Sequence, residues 1–349
     1  MNVSHRGGGS SASAGAVASR PEGLAVTISI ETPPGLSSGA EPERRYLTFT
    51  REIRCPLCRT SLAEVVPETS GVEDRETAIG TFDIVRCRAC DTGVTSPQPL
   101  AETVPLLYGD RDTRDYDSPG TWLGNLRTTI VQRRLARAIA KRYRPELAIT
   151  SVLDVGTGSG RSINGFADAF PAARCVASDF PERRPASLRP RVAYRPYGAP
   201  VPADERFDVI VMRHVLEHVL DPVGEVRALV ARLAPGGLLF IEVPDSKSLI
   251  VRLAGTRLST RFYYLPRHLN HFSFASLTRL ATLAAPACLA SVARCDFITV
   301  GPLLEEWFGT TRKSYVVNLF GLLLFPLQIA FERLTRSSGA LTLVLTSRS

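Results

Sequence analysis

Ile149–Gly160, I-T-S-V-L-D-V-G-T-G-S-G, is the stretch whose reading decides the fold. Ile149, Val152, Leu153 and Val155 form a short apolar run that stops at Gly156, Gly158 and Gly160, and Arg161–Phe170 then has helical spacing. This reads as a buried strand, a tight turn and a helix start. Glycine suits such a turn because its backbone reaches conformations closed to other residues. It also leaves no Cβ between the chain and a ligand at the N–H groups of the helix start. A nucleotide-type cofactor is therefore expected. Counted from Gly156, the third glycine of a G-x-G-x-x-G dinucleotide fingerprint would fall on Arg161, which weakens that reading. Gly160-Arg161-Ser162 likewise lacks the lysine of a Walker loop.

Outward from this turn the pattern repeats. Arg174–Ser178 reads as a second strand ending in Asp179, about 19 residues past the last glycine, where a doubly wound fold sets a carboxylate against ribose hydroxyls. Val192–Arg195 gives a third strand, Phe207–Met212 a fourth, Leu238–Val243 a fifth, Ser291–Val300 a sixth and Ala340–Ser347 a seventh. The fold class expected is α/β with a doubly wound, Rossmann-like seven-stranded sheet.

Taken together, D-V-G-T-G-S-G, Asp179, F-D-V-I-V-M-R-H-V-L-E-H-V-L-D-P (207–222) and L-A-P-G-G-L-L-F-I-E-V-P (233–244) resemble the class I S-adenosylmethionine-dependent methyltransferases. The likeness is close from Ser151 to about Pro244 and looser beyond. It implies S-adenosyl-L-methionine as methyl donor, held by Asp154, Gly156, Thr157, Gly158 and Gly160 at the methionine end and by Asp179 at the ribose. Arg213 and His214 then flank the donor. Members of the family often carry an acidic residue after the third strand; this chain has Arg195-Pro196-Tyr197-Gly198-Ala199 there, which leaves adenine to backbone groups and to Phe180.

Cys55-Pro-Leu-Cys58 and Cys87-Arg-Ala-Cys90 are two C-x-x-C pairs separated by 28 residues. Each can set two thiolates on one turn, and the four complete a tetrahedral zinc site with no open position, so a structural Zn2+ is expected. Disulfides are the competing reading. Cys175, Cys288 and Cys295 lie in apolar elements and read as core residues. The run C-R-A-C-D-T-G-V-T-S-P-Q-P (87–99) followed by L-L-Y-G (106–109) is similar to the N-terminal zinc module found ahead of methyltransferases acting on sugars and other small molecules.

The expected organisation is a disordered tail over 1–45, a zinc-ribbon module over 46–105, a helical linker over 106–148 and a methyltransferase domain over 149–349. The tail is rich in Gly, Ser, Ala and Pro. No secretory pattern opens the sequence, so a cytoplasmic location is expected. The net charge is +8, with Lys141, Lys247 and Lys313 the only lysines. Thr121–Tyr143 has helical spacing, and Arg127, Arg133, Arg134, Arg137, Lys141, Arg142 and Arg144 carry its charge. A solvated face or a grip on an anionic partner both fit that run.

His214-Val-Leu-Glu217-His218 matches the H-x-x-E-H inverted zinc-protease signature. Those ligands need one face of a helix, whereas this stretch leaves a buried strand and meets Asp221-Pro222, so no metal is expected from it. His268 and His271, in a loop with three aromatics and Asn270, are the expected proton acceptors, with His218 in reserve. Their competing role is to hold the loop or cap the helix Ser276–Ala285. Tyr315–Phe331 is an apolar run of 17 residues interrupted by Asn318, Pro326 and Gln328. It reads as a buried or lid helix, with peripheral membrane contact as a variant. The resemblance thus implies methyl transfer to a small-molecule acceptor, a sugar, polyketide or lipid-linked intermediate. An RNA methyltransferase using the zinc module and basic helix, and a non-catalytic zinc-bearing binding module, are the alternatives; nucleic acid is the less favoured partner because no N-P-P-Y-like motif follows the fourth strand.

Overall fold

The computed structural model describes residues 25–31, 44–74, 79–107, 122–180, 184–200, 202–248, 251, 263–295 and 339–348. The apolar alternation of A-V-T-I-S-I-E makes strand β1 (Ala25–Glu31), which zips antiparallel onto β2 (Arg44–Thr50). Part of the expected disordered tail is therefore ordered, because a β-branched alternating segment finds a partner edge; the remainder lies outside the described residues. β3 (Thr69–Glu73), β4 (Thr81–Arg86) and β5 (Gly93–Ser96) form an antiparallel meander. β6 (Gln98–Pro99) joins the β1–β2 sheet.

Helix α1 (Trp122–Tyr143) precedes β7 (Ser151–Val155), and α2 (Arg161–Ala169) follows it. β8 (Arg174–Asp179), β9 (Ala193–Pro196), β10 (Phe207–Arg213), α3 (Pro222–Val230) and β11 (Leu233–Pro244) come next. After β12 (Asn270–His271) and α4 (Phe274–Ala284), β13 (Leu289–Cys295) and β14 (Ala340–Thr346) complete the order. The main sheet runs β13-β14-β11-β10-β7-β8-β9, with β14 antiparallel to both neighbours and the rest parallel where paired. This is the expected seven-stranded doubly wound sheet. β7 is flanked by β8 and β10, so the chain reverses its winding there, and the loop after β7 opens into the crevice where such sheets take ligands.

Both faces of the sheet are covered. On one face α1 and α2 pack with Ala136, Ile139, Ile163 and Phe166 over Val152, Val209 and Val211. The two helices approach so closely that a Cβ at Gly165 would stand 2.7 Å from the Gln132 backbone. The helix expected as a linker is thus a layer of the sheet's own core. Its charge splits accordingly: Arg133, Arg134, Arg137, Lys141 and Arg142 are exposed, while Arg144 is 6% exposed and binds Asp208 at 3.2 Å and the Gly236 carbonyl at 3.0 Å.

On the other face, Ile210, Met212, Leu239 and Ile241 share one apolar cluster with Leu277 and Leu280 of α4 and with Ile53, Leu62, Val85 and Val94 from the cysteine-bearing segment. Each such fully buried aliphatic side chain contributes about 1.5–3 kcal/mol. β12 also pairs with β5, which gives the small sheet the order β12-β5-β4-β3. The N-terminal segment is therefore built onto the larger sheet. Among the described residues no helix is long and apolar enough to cross a membrane, and 315–331 lies outside them.

Candidate active site and four-cysteine centre

The turn after β7 is shaped by the residues packed against it. Gly156 and Gly160 adopt φ 68° and 73°, and a Cβ would lie 2.2 Å from Val215 Cγ2 at the first and 2.3 Å from Leu188 Cδ2 at the second. The backbone N–H groups of Gly156 and Thr157 donate to the Ser178 carbonyl at 2.8 and 3.1 Å. Gly158 donates to Asp179 Oδ2 at 2.6 Å, and Phe180 N–H donates to Oδ1 at 2.8 Å. The carboxylate one strand over is thereby fixed against the glycine loop, which is where the sequence put it. Burial raises its pKa against these two hydrogen bonds.

Asp154, 2% exposed, accepts Thr157 Oγ1–H at 2.8 Å. Burial pushes its carboxyl up to about 7, against that hydrogen bond and the Arg213 charge. Phe180 and Tyr197 are each half exposed, with ring centroids 4.9 Å apart. Together they form an aromatic wall beside Asp179, to which Tyr197 also donates its N–H at the backbone carbonyl, 2.7 Å away. α2 starts from Gly160 with no side-chain cap at that residue, and the Ile163 N–H of its first turn donates to the Asp154 carboxylate.

At the end of β10, Arg213 turns inward, while the His214 side chain stays 52% exposed. Arg213 binds Glu242 at 3.0 Å and Gln132 at 3.1 Å; His214 Nε2 lies 3.1 Å from Glu242 and its Nδ1 3.5 Å from Glu217. Burial works against charge on this imidazole, yet the two carboxylates hold it up at about 10. Burial likewise opposes ionisation of Glu242, but His214 and Arg213 bring it down to about 2. Glu242 was not singled out from the sequence. The signal available was a lone acid inside the apolar run L-L-F-I-E-V-P.

Among the described residues the three other histidines differ in what they can do. His271 is 4% exposed in β12, and its Nε2–H donates to Thr95 Oγ1 at 2.9 Å while that hydroxyl donates to the His268 carbonyl. Burial lowers its pKa to about 3. It serves the strand pairing, and a Cβ on Gly93 of β5 would touch it at 2.9 Å. His268 and His218 stack edge to face at 4.7 Å, with His268 Nε2 3.8 Å from Glu217 Oε1. Burial keeps both imidazoles below their usual pKa. Neither His268 nor His271 caps α4; Ser273 and Ser276 do so reciprocally. A cleft of about 510 Å3, counted with its open mouth, is lined by Asp245, Ser246, Tyr263, His268, Asn270 and His271. It lies beyond the carboxyl end of β11, on the same edge of the sheet as the glycine loop.

The four cysteines sit in two matching turns. Arg59 and Thr60 follow the first pair, Asp91 and Thr92 the second. Cys55 N–H donates to Thr60 O and accepts Arg59 N–H at its own carbonyl, at 2.9 and 2.8 Å; Cys87 makes the same two bonds with Thr92 and Asp91 at the same distances. Arg59 and Asp91 are left-handed, φ 63° and 58°. The four sulfurs lie within 4.8 Å of one another, with Cys58 and Cys87 3.6 Å apart. Thiolates around one zinc at about 2.3 Å stand about 3.8 Å apart, so this donor set fits a tetrahedral Zn2+. Cys175 is buried in the sheet and Cys288 packs partly buried against the core.

A model of the methyltransferase domain family matches residues 126–285. A trans-aconitate 2-methyltransferase of Variovorax paradoxus is 35% identical over 126 residues, which is 35% of this chain and 46% of that protein. A ubiquinone biosynthesis O-methyltransferase of Xanthomonas euvesicatoria is 32% identical over 181 residues, 49% of this chain and 73% of that protein. The chain thus spans just under half the length of the first relative and nearly three quarters of the second. Among solved structures, a plantazolicin methyltransferase in complex with SAH superposes with a TM-score of 0.46 at 14% identity, covering 68% of this chain and 90% of that one.

Proposed function

The chain belongs to the S-adenosylmethionine-dependent methyltransferases, and from that premise we propose that it transfers the donor's methyl group to a small-molecule acceptor. The observation that carries this reading is the fixed pairing of Asp179 with Gly158 at the point where the sheet reverses its winding. Asp179 keeps lone pairs for two ribose hydroxyls. The Phe180–Tyr197 wall takes the adenine, and Asp154 with the loop N–H groups meets the methionine end. Bound there, the donor supplies an activated methyl on a cationic sulfur. The chain's own residues then hold the acceptor in line, exclude water and accept a proton where the acceptor carries one.

His268 and His271 both line the cleft beyond β11, which is the acceptor's place, and of the two His271 is held by Thr95. One relative is named for trans-aconitate and another for O-methylation in ubiquinone biosynthesis, which supports an acceptor of metabolite size. The four cysteines bind a structural zinc: saturated by thiolates, it has no open position for chemistry. Calorimetry with S-adenosylhomocysteine tests the reading. The wild-type protein should bind one equivalent, and Asp179→Ala should weaken binding by about 100-fold or more, the value of two hydrogen bonds to a charged group at about 1.5–3 kcal/mol each. Absence of binding to folded, zinc-loaded protein ends the proposal.

A further inference from the structure

Asn270, on the wall of the cleft beyond β11, is 1% exposed and uses only half of its amide. Its Nδ2–H donates to the Val219 carbonyl at 2.6 Å, which fixes the orientation of the group, because the reverse one would set two oxygens together. Oδ1 then accepts no hydrogen bond, a costly state for a buried carbonyl. The backbone around it is held as well. Asn270 pairs with Val94 of β5, and the Leu269 N–H donates to the Glu217 carbonyl at 2.7 Å.

Other groups on this wall lean the same way. Asp245, 4% exposed, accepts the Lys247 N–H at one carboxylate oxygen, 2.9 Å away. His271 donates from Nε2 to Thr95, so its Nδ1 keeps a lone pair. The Ser246 hydroxyl, by contrast, is occupied: it donates to the Phe272 carbonyl at 2.8 Å and accepts the Arg86 guanidinium at 3.3 Å. Arg86 is in turn bound to Glu68 and to the Asp91 carbonyl.

A carboxylate entering here would bring only lone pairs to Asn270 Oδ1 and to Asp245, whereas a hydroxyl brings the missing donor. We propose that Asn270 is a specificity-determining residue of the acceptor cleft, its Oδ1 taking a hydrogen bond from a hydroxyl next to the one that is methylated. The acceptor class is then a molecule with two neighbouring hydroxyl groups. His268 and Asn270, two residues apart and both on the cleft wall, meet one hydroxyl each. The first hydroxyl's oxygen forms a C–O bond to the methyl carbon as the C–S bond breaks; the electron pair goes to sulfur and the hydroxyl proton to His268. That step rests on the methyl-transfer reading; the hydrogen bond to Oδ1 does not.

The test is calorimetry on the full, zinc-loaded chain in the presence of S-adenosylhomocysteine, with catechol, which has two adjacent hydroxyls, phenol, which has one, and trans-aconitate, which has carboxylates. Catechol should bind about 2–12-fold more tightly than phenol, the worth of one neutral hydrogen bond, and more tightly than trans-aconitate. Asn270→Ala should bring the catechol-to-phenol ratio to about one. A merely structural role would weaken both probes alike and leave the ratio unchanged. If the thermal melt shows that the variant has lost its fold, the side-chain amide signal of Asn270 in the wild type decides by NMR: it should shift with catechol and stay with phenol. Equal binding of the two by the wild type, tightest binding of trans-aconitate, a ratio that survives Asn270→Ala, or an amide signal that ignores catechol overturns the proposal. S-adenosylhomocysteine binding, measured first on the same samples, reports the methyl-transfer reading separately, and in its absence the same ratio is read on the donor-free protein.

Discussion

The glycine loop and the cysteine turns both send the backbone through left-handed conformations, yet they use opposite residues to do it. The loop has glycine at φ 68°, 52° and 73°, whereas the cysteine turns have Arg59 and Asp91. In the loop, side chains from the next layer close over the turn, and Val215 and Leu188 occupy the space of a Cβ at Gly156 and Gly160. In the cysteine turns the left-handed residue points away from the sulfurs and is used. Arg59 reaches Asp221 at 2.9 Å, the N-cap of α3; Asp91 takes Ser273 Oγ–H at 2.6 Å, the N-cap of α4, and Lys247 at 2.5 Å. Each cysteine turn thus touches one helix cap of the methyl-transfer fold. A glycine in such a turn reports packing as much as a ligand, and a larger residue there reports an interface.

The widest test of this contrast removes the proposed zinc. Thiolate coordination in small domains carries on the order of 10 kcal/mol, and the cysteine segment shares its apolar cluster with the main sheet. Chelation should therefore lower the melting temperature of the whole chain. A melt unchanged after verified zinc loss would show the two regions to be energetically separate. Next in size is Gly156→Ala, where left-handed strain of about 1–2 kcal/mol adds to overpacking of about 1–3 kcal/mol against Val215. Urea unfolding should show a loss of about 2–5 kcal/mol together with weakened S-adenosylhomocysteine binding. Full retention of both would mean that the loop moves aside cheaply. Smallest is Arg59→Gly. Relief of backbone strain offsets a solvent-exposed ion pair whose partners are 61% and 54% exposed, and such pairs contribute about 0–1 kcal/mol. Stability should change by less than about 1 kcal/mol, with helix α3 intact by hydrogen exchange. A larger loss would show the Arg59–Asp221 contact to be the joint between the two regions.

Much of the candidate site was legible because its signals are local. The glycines, the apolar run before them and Asp179 lie close along the chain, and so do the members of each C-x-x-C pair. Other features carried no such signal. β5 pairs with β12 across more than 170 residues, so nothing near Gly93 announces that His271 will fill the space beside it. Arg144 looked like one more member of a basic face, although it is buried and bound to Asp208 while Arg133, Arg134, Arg137, Lys141 and Arg142 are exposed. His268 read as a free proton acceptor, and its grouping with Glu217 depends on a loop folding back onto β10.

Taken alone, the sequence determined the strands of the doubly wound sheet and their order, because hydrophobic period and glycine placement act within a few residues. It also determined that four thiols come in two pairs. Only the tertiary structure decided that the cysteine segment shares the sheet's core and which histidines meet Glu217. Those outcomes come from contacts between segments far apart in the chain, where burial and charge select partners that no local pattern encodes.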